Sequence, residues 1–254
     1  MKGLNDRIAL ITGASRGIGA ATALMLAEHG ADVAINYHSN RDAAEHVAAR
    51  VRALGRRTQV YRADITSWDD CESMCHKVLE DFGHVDILIN NAGIGYETFG
   101  TPLLADLDPE HLRRYLEYNT FGALYMCKLI VPQMRNAGRG NVVMVSSFSA
   151  QALRVRMGAY SISKAGMEAL AYTLAKEERE HGIRVNIVAP GLVDTDMGDG
   201  FLQSVGVTDK EARASESPFG FICKPEDVAG AIVYLCSEEG RYVTGQRITV
   251  NGGG

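Results

Sequence analysis

The chain has 254 residues, a length that fits one α/β domain with a sizeable core or two small domains, and its 46% hydrophobic and 22% charged residues speak against disorder, collagen and coiled coil. A formal net charge of −5 gives no electrostatic reason for DNA, RNA or an anionic membrane as partner, although backbone amides and a local cation can still hold an anionic cofactor. No apolar run reaches the roughly 18 residues that span a bilayer, and Ile8-Ala9-Leu10-Ile11 follows Met1 so closely that no signal peptide is expected.

Short apolar, β-rich runs alternate with longer helical patterns from end to end. Strands are expected near 7–12, 31–37, 57–62, 85–90, 140–147, 183–189 and 246–250, and helices near 17–29, 41–54, 68–82, 109–136, 158–181 and 225–237. This alternation implies right-handed βαβ crossovers and an α/β fold: a doubly wound, parallel seven-stranded sheet of Rossmann type with helices on both faces. Continuous apolar runs such as Val142-Val143-Met144-Val145 fit strands buried on both sides. Asp108-Pro109 supplies a cap and then proline at the first helical position, and Lys224-Pro225-Glu226-Asp227 puts proline and acids in a first turn. No repeat or linker interrupts residues 1–254, which read as a single domain. The stretch 191–224 shows no clear strand and is rich in glycine, which predicts a substrate lid.

The first strand ends in Thr12-Gly13-Ala14-Ser15-Arg16-Gly17-Ile18-Gly19 and opens directly into a helix. Gly13 permits the tight turn, Gly17 lets backbone approach a pyrophosphate, and Gly19 lets the helix pack on the sheet. The helix N-terminus then offers unpaired amides and partial positive charge. With its cradle written TGxxxGxG rather than the general GxGxxG, the chain resembles the short-chain dehydrogenase/reductases over nearly its whole length. The resemblance implies that the cradle from Gly13 through Ser15, Arg16, Gly17 and Ile18 to Gly19 binds NAD(P)(H), with Asn36 and Ser39 at the end of the second strand. It further implies that Asp64-Ile65 contacts the adenine, and that Asn91, Ala92 and Gly93 of Asn90-Asn91-Ala92-Gly93 lie along the cofactor. Pro190-Gly191 with Val193 and Thr195 is similar to the family segment that meets the nicotinamide carboxamide. Thr244-Gly245-Gln246 and Val250-Asn251-Gly252-Gly253 resemble the closing strand, with Asn251 where the family commonly has Asp.

Tyr160-Ser161-Ile162-Ser163-Lys164 puts a phenol and an ammonium at i and i+4, on one face of a helix. The helix follows a strand ending in Ser146-Ser147, and ligand crevices of such sheets lie at those ends. Carbonyl reduction needs a proton donor to the oxygen, and the reverse direction needs an acceptor. A free phenol is roughly three pKa units too basic for that at neutral pH, so about 4 kcal/mol of preferential phenolate stabilisation is needed. The neighbouring ammonium and the positive nicotinamide of the oxidised cofactor are the expected source. Tyr160 and Lys164 are therefore the expected catalytic pair and also cofactor contacts, and Ser147 is expected to hold the substrate oxygen. Ser146 points to the other side of its strand. The resemblance adds Asn119, in Tyr118-Asn119-Thr120-Phe121-Gly122, as the residue that opens its helix to a proton-relaying water.

By position in the family, the substrate wall draws on Gly95, Tyr96, Ser149, Leu153, Met157, Leu192, Met197 and Phe201, mostly apolar. The overall likeness is to 3-oxoacyl-carrier-protein reductases and to sugar dehydrogenases. The expected reaction is hydride transfer between NADP(H) and a carbonyl or secondary alcohol, free or carried by acyl carrier protein or CoA. A sugar or polyol dehydrogenase is the enzyme alternative and a non-catalytic nucleotide sensor the other class. Arg135, Arg139, Arg154 and Arg156 offer a basic rim for an acidic carrier, or are ordinary surface arginines. NADP(H) is preferred over NAD(H) because the second strand ends Asn36-Tyr37-His38-Ser39-Asn40-Arg41, with no carboxylate before Asp42 to repel a 2′-phosphate, while Arg16 can pair with one. Apolar residues on more than one side of the 158–181 helix (Met167, Leu170, Ala171, Leu174), with the family likeness, predict a homotetramer. Five scattered cysteines (Cys71, Cys75, Cys127, Cys223, Cys236) suit a reducing cytoplasm, and no metal site is expected: Cys71 and Cys75 read as half-buried helix thiols.

Overall fold

The computed structural model, which describes residues 1–217 and 219–253, lays seven strands in one parallel sheet: β1 (Ile8–Ile11), β2 (Asp32–Tyr37), β3 (Thr58–Arg62), β4 (Ile87–Asn90), β5 (Gly140–Val145), β6 (Ile183–Pro190) and β7 (Arg247–Val250). The helices in chain order are α1 (Gly17–Glu28), α2 (Arg41–Ala53), α3 (Trp68–Phe82), α4 (Pro109–Leu116), α5 (Gly122–Ala137), α6 (Ser149–Ala152), α7 (Gly158–Glu178), α8 (Asp196–Ser204), α9 (Lys210–Ser215) and α10 (Pro225–Cys236). Across the sheet the order is β3-β2-β1-β4-β5-β6-β7, so the winding reverses between β1 and β4. The expected doubly wound, seven-stranded Rossmann-type sheet is what the chain forms.

Strand residues alternate between two cores, as a period of two requires. Ile8 and Leu10 of β1 join Leu88, Val142 and Met144 beneath α3, α5 and α7. Ala9 and Ile11 join Ile87, Ile89, Val143 and Val145 beneath α1, α2 and α10. Because both faces are covered, β1, β2, β4 and β5 are buried at every position. Burying each Val, Leu or Ile stabilises by about 1.5–3 kcal/mol. Cys71 and Cys75 face the first of these cores, where burial pushes each thiol up to about 12.

The caps form as read: Asp108 accepts from the Glu110 amide at 2.9 Å, and the Lys224 amide donates to Asp227 at 2.8 Å. Two expectations need correction. The helix expected over 109–136 is two helices joined by a π-helical turn, Glu117–Phe121. The stretch 191–224 is no plain loop but carries α8 and α9, capped by Thr195 and Asp209; Pro218 lies outside the described residues. Their brevity and the glycines inside α8 hid them.

Of the two readings of the basic rim, the ordinary one holds for Arg135 and Arg139. Arg135 forks onto the buried Glu178, its Nε donating to Oε2 at 2.7 Å and its Nη2 to Oε1. Arg139 pairs with the buried Asp86 at 3.0 Å. Asp86 and Arg139 immediately precede β4 and β5. These two arginines therefore sit at the amino edge of the sheet, opposite the strand ends that form a ligand crevice.

Candidate active site

Parallel strands bring all their carboxyl ends to one edge, and the reversal between β1 and β4 opens a crevice there. It is a cleft of about 1540 Å³. Every residue expected to contact the cofactor lines it except Gly19, which is buried.

The cradle at one end is braced by its neighbours. The Thr12 hydroxyl accepts from the amides of Asn91 and Ala92, both at 3.0 Å. Asn91 Nδ2 donates to the carbonyls of Thr12 and Gly13 at 2.9 and 3.1 Å. Asn36 Oδ1 accepts from the Gly13 amide at 3.1 Å, and its Nδ2 lies within 3.4 Å of the Tyr37, Tyr61 and Ala63 carbonyls. Asn36 thus lines the cleft while its side chain braces the cradle from beneath. Gly13 adopts φ +63° and Gly17 φ +56°, and a methyl on Gly19 would stand 2.5 Å from the Gly13 carbonyl oxygen. No side chain caps α1 and no acid stands in its first turn. Turn, close approach and free amides together fit a dinucleotide pyrophosphate.

Arg16 pairs with Asp196 at 3.0 Å, both side chains about three-quarters exposed, so at the cradle mouth it faces α8 rather than the end of β2. Asp42 lies in the first turn of α2, as expected, and Asn40 caps that helix by accepting from the Ala43 amide.

At the other end of the cleft α7 presents Tyr160 and Lys164 on one face, beneath the end of β5. Lys164 Nζ donates to the Val145 carbonyl at 2.9 Å and lies 5.9 Å from the centre of the Tyr160 ring. The Ser147 hydroxyl lies close enough to the Tyr160 phenol to influence its titration, and accepts from the Ser149 amide at 3.2 Å. Ser146, on the opposite side, donates to Glu168.

Asn119 is fully buried on the π turn. Its Oδ1 accepts from the Ile94 amide at 3.0 Å, and its Nδ2 donates to the Ile94 carbonyl and the Ser163 hydroxyl at 3.1 and 3.0 Å. Such turns disrupt the regular ladder and recur at functional sites. A methyl on Gly93 would stand 2.5 Å from Asn119 Oδ1 and 3.5 Å from Lys164 Nζ, which places Asn119 beside the lysine across that glycine.

Burial sets the charges. It raises the Tyr160 phenol above its ordinary value, helped by Tyr96 and opposed by the Ser147 hydrogen bond. It also drives Lys164 down to about 8, against the pull of the Glu168 carboxylate. In the protein alone, then, desolvation is the largest influence on both groups and moves each toward its neutral form.

The apolar wall is aromatic. The Tyr96 ring centre lies 4.5 Å from that of Tyr160 and 5.3 Å from that of Phe201, and Tyr115 stands 6.1 Å from Tyr160 on another side. Gly95, Ser149, Met157, Leu192 and Met197 also line the cleft, with Arg154 among them. Leu153 does not; it is 67% exposed, in a left-handed conformation at the end of α6. Sequence reasoning missed Tyr115, Glu97 and the buried Glu168 and Arg247. Only Glu168 left a signal, a carboxylate one helical turn beyond Lys164 on a face otherwise buried.

Comparison with known proteins matches residues 13–254 to the family described as enoyl-(acyl carrier protein) reductase. The chain is 36% identical to L-rhamnose 1-dehydrogenase (NAD(P)(+)) of a Sphingomonas species, over 100% of this chain and 98% of that one. It is 33% identical to a 3-oxoacyl-[acyl-carrier-protein] reductase of Staphylococcus epidermidis, over 98% of each. A solved 7α-hydroxysteroid dehydrogenase, complexed with NADH and 7-oxo glycochenodeoxycholic acid, superposes with a TM-score of 0.90 at 35% identity, covering 99% of this chain and 95% of that one.

Proposed function

Because the chain belongs to the short-chain dehydrogenase/reductase family of NAD(P)-dependent oxidoreductases, we propose that it reduces a bulky apolar carbonyl with NADPH, and that Asn119, Ser147, Tyr160 and Lys164 carry the reaction. The observation that carries this reading is the convergence of cradle, phenol and ammonium on one cleft, with an aromatic wall against the phenol. A bound nicotinamide supplies the hydride. Ser147 positions the substrate oxygen, and Tyr160, kept protonated by burial, gives it a proton. Lys164 holds positive charge behind the phenol, and Asn119 holds the turn through which a proton reaches the lysine. Ser149 and Leu192 contact the substrate beside Ser147 and Tyr160. The segment 191–224 closes over it, with Met197 and Phe201 of α8 forming the roof.

NADP(H) is preferred, since residues 36–41 at the end of β2 include no carboxylate and Arg16, held only by an exposed pair with Asp196, can exchange that partner for a 2′-phosphate; NAD(H) is the alternative. Arg154 at the cleft suits an anionic substrate handle such as a CoA or acyl-carrier thioester. The five free cysteines suit a reducing cytoplasm, and no described helix is long and apolar enough to cross a membrane. Phe121 of the π turn, Leu124 of α5 and Ile162 of α7, all exposed, support a homotetramer, which light scattering at micromolar concentration checks; a monomer would refute it. The sugar or polyol alternative finds support in Glu97, a carboxylate at the cleft that could accept hydroxyls. A panel of 3-oxoacyl thioesters, ring ketones and aldoses, followed by absorbance of the reduced cofactor, tests the reading. Turnover of the apolar carbonyls is expected, and turnover of sugars alone would overturn it.

A further inference from the structure

We propose that the buried pair Glu168–Arg247 is a positioning device that fixes the Ser147 peptide relative to Tyr160 and Lys164, an inference that rests on the reading of those three residues given above. Glu168 stands on α7 one turn beyond Lys164 and two beyond Tyr160, and Arg247 opens β7. Their side chains are only 6% and 8% exposed.

One carboxylate oxygen, Glu168 Oε1, accepts from both Arg247 Nε at 2.9 Å and the Ser146 hydroxyl at 2.8 Å. Arg247 spends its other arms on the Thr249 hydroxyl, at 2.5 Å, and on the backbone carbonyl of Ser147, at 3.1 Å. That last bond is what a plain clamp between helix and sheet would not need. Beyond the end of β5, the amides of Ser146 and Phe148 are held by the β6 carbonyls of Val188 and Pro190, both at 2.8 Å. The Ser147 carbonyl lies between these two anchors, and the guanidinium reaches past β6 to take it. Helix α7, which carries Tyr160 and Lys164, and the peptide that carries Ser147 are thereby bound to the same planar ion pair. A buried ion pair contributes little net stability compared with apolar residues of the same volume, so what this one contributes is geometry: a guanidinium whose donors point in fixed directions, to Glu168, Thr249 and the Ser147 carbonyl.

Removing one partner alone, as in Glu168→Gln, strands a buried charge and threatens folding. The paired variant Glu168→Met with Arg247→Met removes both charges at similar volume. Arg247→Lys keeps the charge and one contact to Glu168 while giving up the Ser147 carbonyl. Each is measured for NADPH binding by fluorescence, for kcat with the fastest carbonyl of the panel, and for amide hydrogen exchange of the apo protein over residues 146–149. NADPH affinity should be unchanged in both variants. The expected loss in kcat is about tenfold for Arg247→Lys and up to about a hundredfold for the pair, the scale of a reacting group displaced by an ångström. Exchange over 146–149 should quicken while β1 and β4 stay protected. Wild-type kcat in Arg247→Lys, or unchanged exchange at 146–149 in either variant, overturns the proposal. Tyr160→Phe is run alongside. If it also keeps full turnover, the reading of the site has failed; if it is inactive while the variants are not, only the positioning role has failed.

Discussion

Replacing Lys164 by methionine should leave the protein inactive and, at neutral pH, more stable. The ammonium is buried, and burial moves its pKa from the ordinary 10.5 to about 8. At about 1.4 kcal/mol per unit, this is roughly 3 kcal/mol by which the folded state disfavours the charged lysine. Because the folded pKa lies below the unfolded one, the unfolded chain binds a proton that the folded chain lacks between about pH 8 and 10.5. Wild-type stability therefore rises with pH across that window, with the full penalty present below it and none above. Methionine keeps most of the lysine stem's contacts and discards the charge. It also gives up the bond to the Val145 carbonyl, worth about 1 kcal/mol. The net gain near neutral pH is about 2 kcal/mol, or roughly 4–8 °C in melting midpoint for a chain of this size. Urea unfolding of both proteins near neutral pH and again at about pH 9.5 reads the difference directly. A variant less stable than wild type at neutral pH, or a stability difference that does not shrink as pH rises, would refute the reasoning.

Tyr160→Phe should abolish turnover, with NADPH binding by fluorescence unchanged, since only the reacting proton donor is removed; near-wild-type kcat would sink the assignment. Arg16→Ala should lower kcat/KM for NADPH by about tenfold to a hundredfold, the scale of a charge-assisted pair of about 1.5–3 kcal/mol, and leave kcat/KM for NADH untouched. Equal losses with both cofactors, or equal use of both by the wild type, would remove the basis for the preference. Gly19→Ala brings a methyl to 2.5 Å from the Gly13 carbonyl oxygen and 2.6 Å from Asn91 Nδ2. Strain of about 1–3 kcal/mol should then weaken cofactor binding without unfolding the sheet, measured as a raised dissociation constant for NADPH together with a melting midpoint lowered by roughly 2–12 °C.

What was legible in the sequence was whatever depends on local pattern. The apolar runs revealed the strands because burial on both faces leaves few polar residues to blur them, as Ile8–Ile11 illustrates. The cradle and the Tyr160–Lys164 spacing were readable because their geometry lies within one turn or one helix. Contacts between distant elements were not. Nothing near Arg139 announces that Asp86 holds it at the far edge of the sheet, or near Arg16 that Asp196 stands opposite. The π turn at Asn119 was invisible for a related reason: the extra residue leaves the apolar periodicity on both sides intact, and α4 and α5 read as one helix. Arg247 looks like an ordinary strand arginine until β7 is set beside β6 and α7 is laid over it.

The least local quantity is the environment, and it sets how readily the phenol and the ammonium change protonation state. A phenol beside an ammonium reads on paper as an activated base. In the folded chain both groups lie in the same dry pocket, and desolvation acts on each toward neutrality: Tyr160 upward, Lys164 down to about 8. The protein by itself thus keeps Tyr160 as a proton donor, the state that carbonyl reduction uses. Running the reaction toward oxidation requires a positive charge brought against the phenol from outside the chain. The same burial that penalises Lys164 makes such a charge count, because low polarity strengthens its field at the phenol. On this argument the acid and base forms of Tyr160 are selected by what occupies the cleft, with the aromatic wall of Tyr96 and Phe201 beside the phenol limiting how water screens the choice.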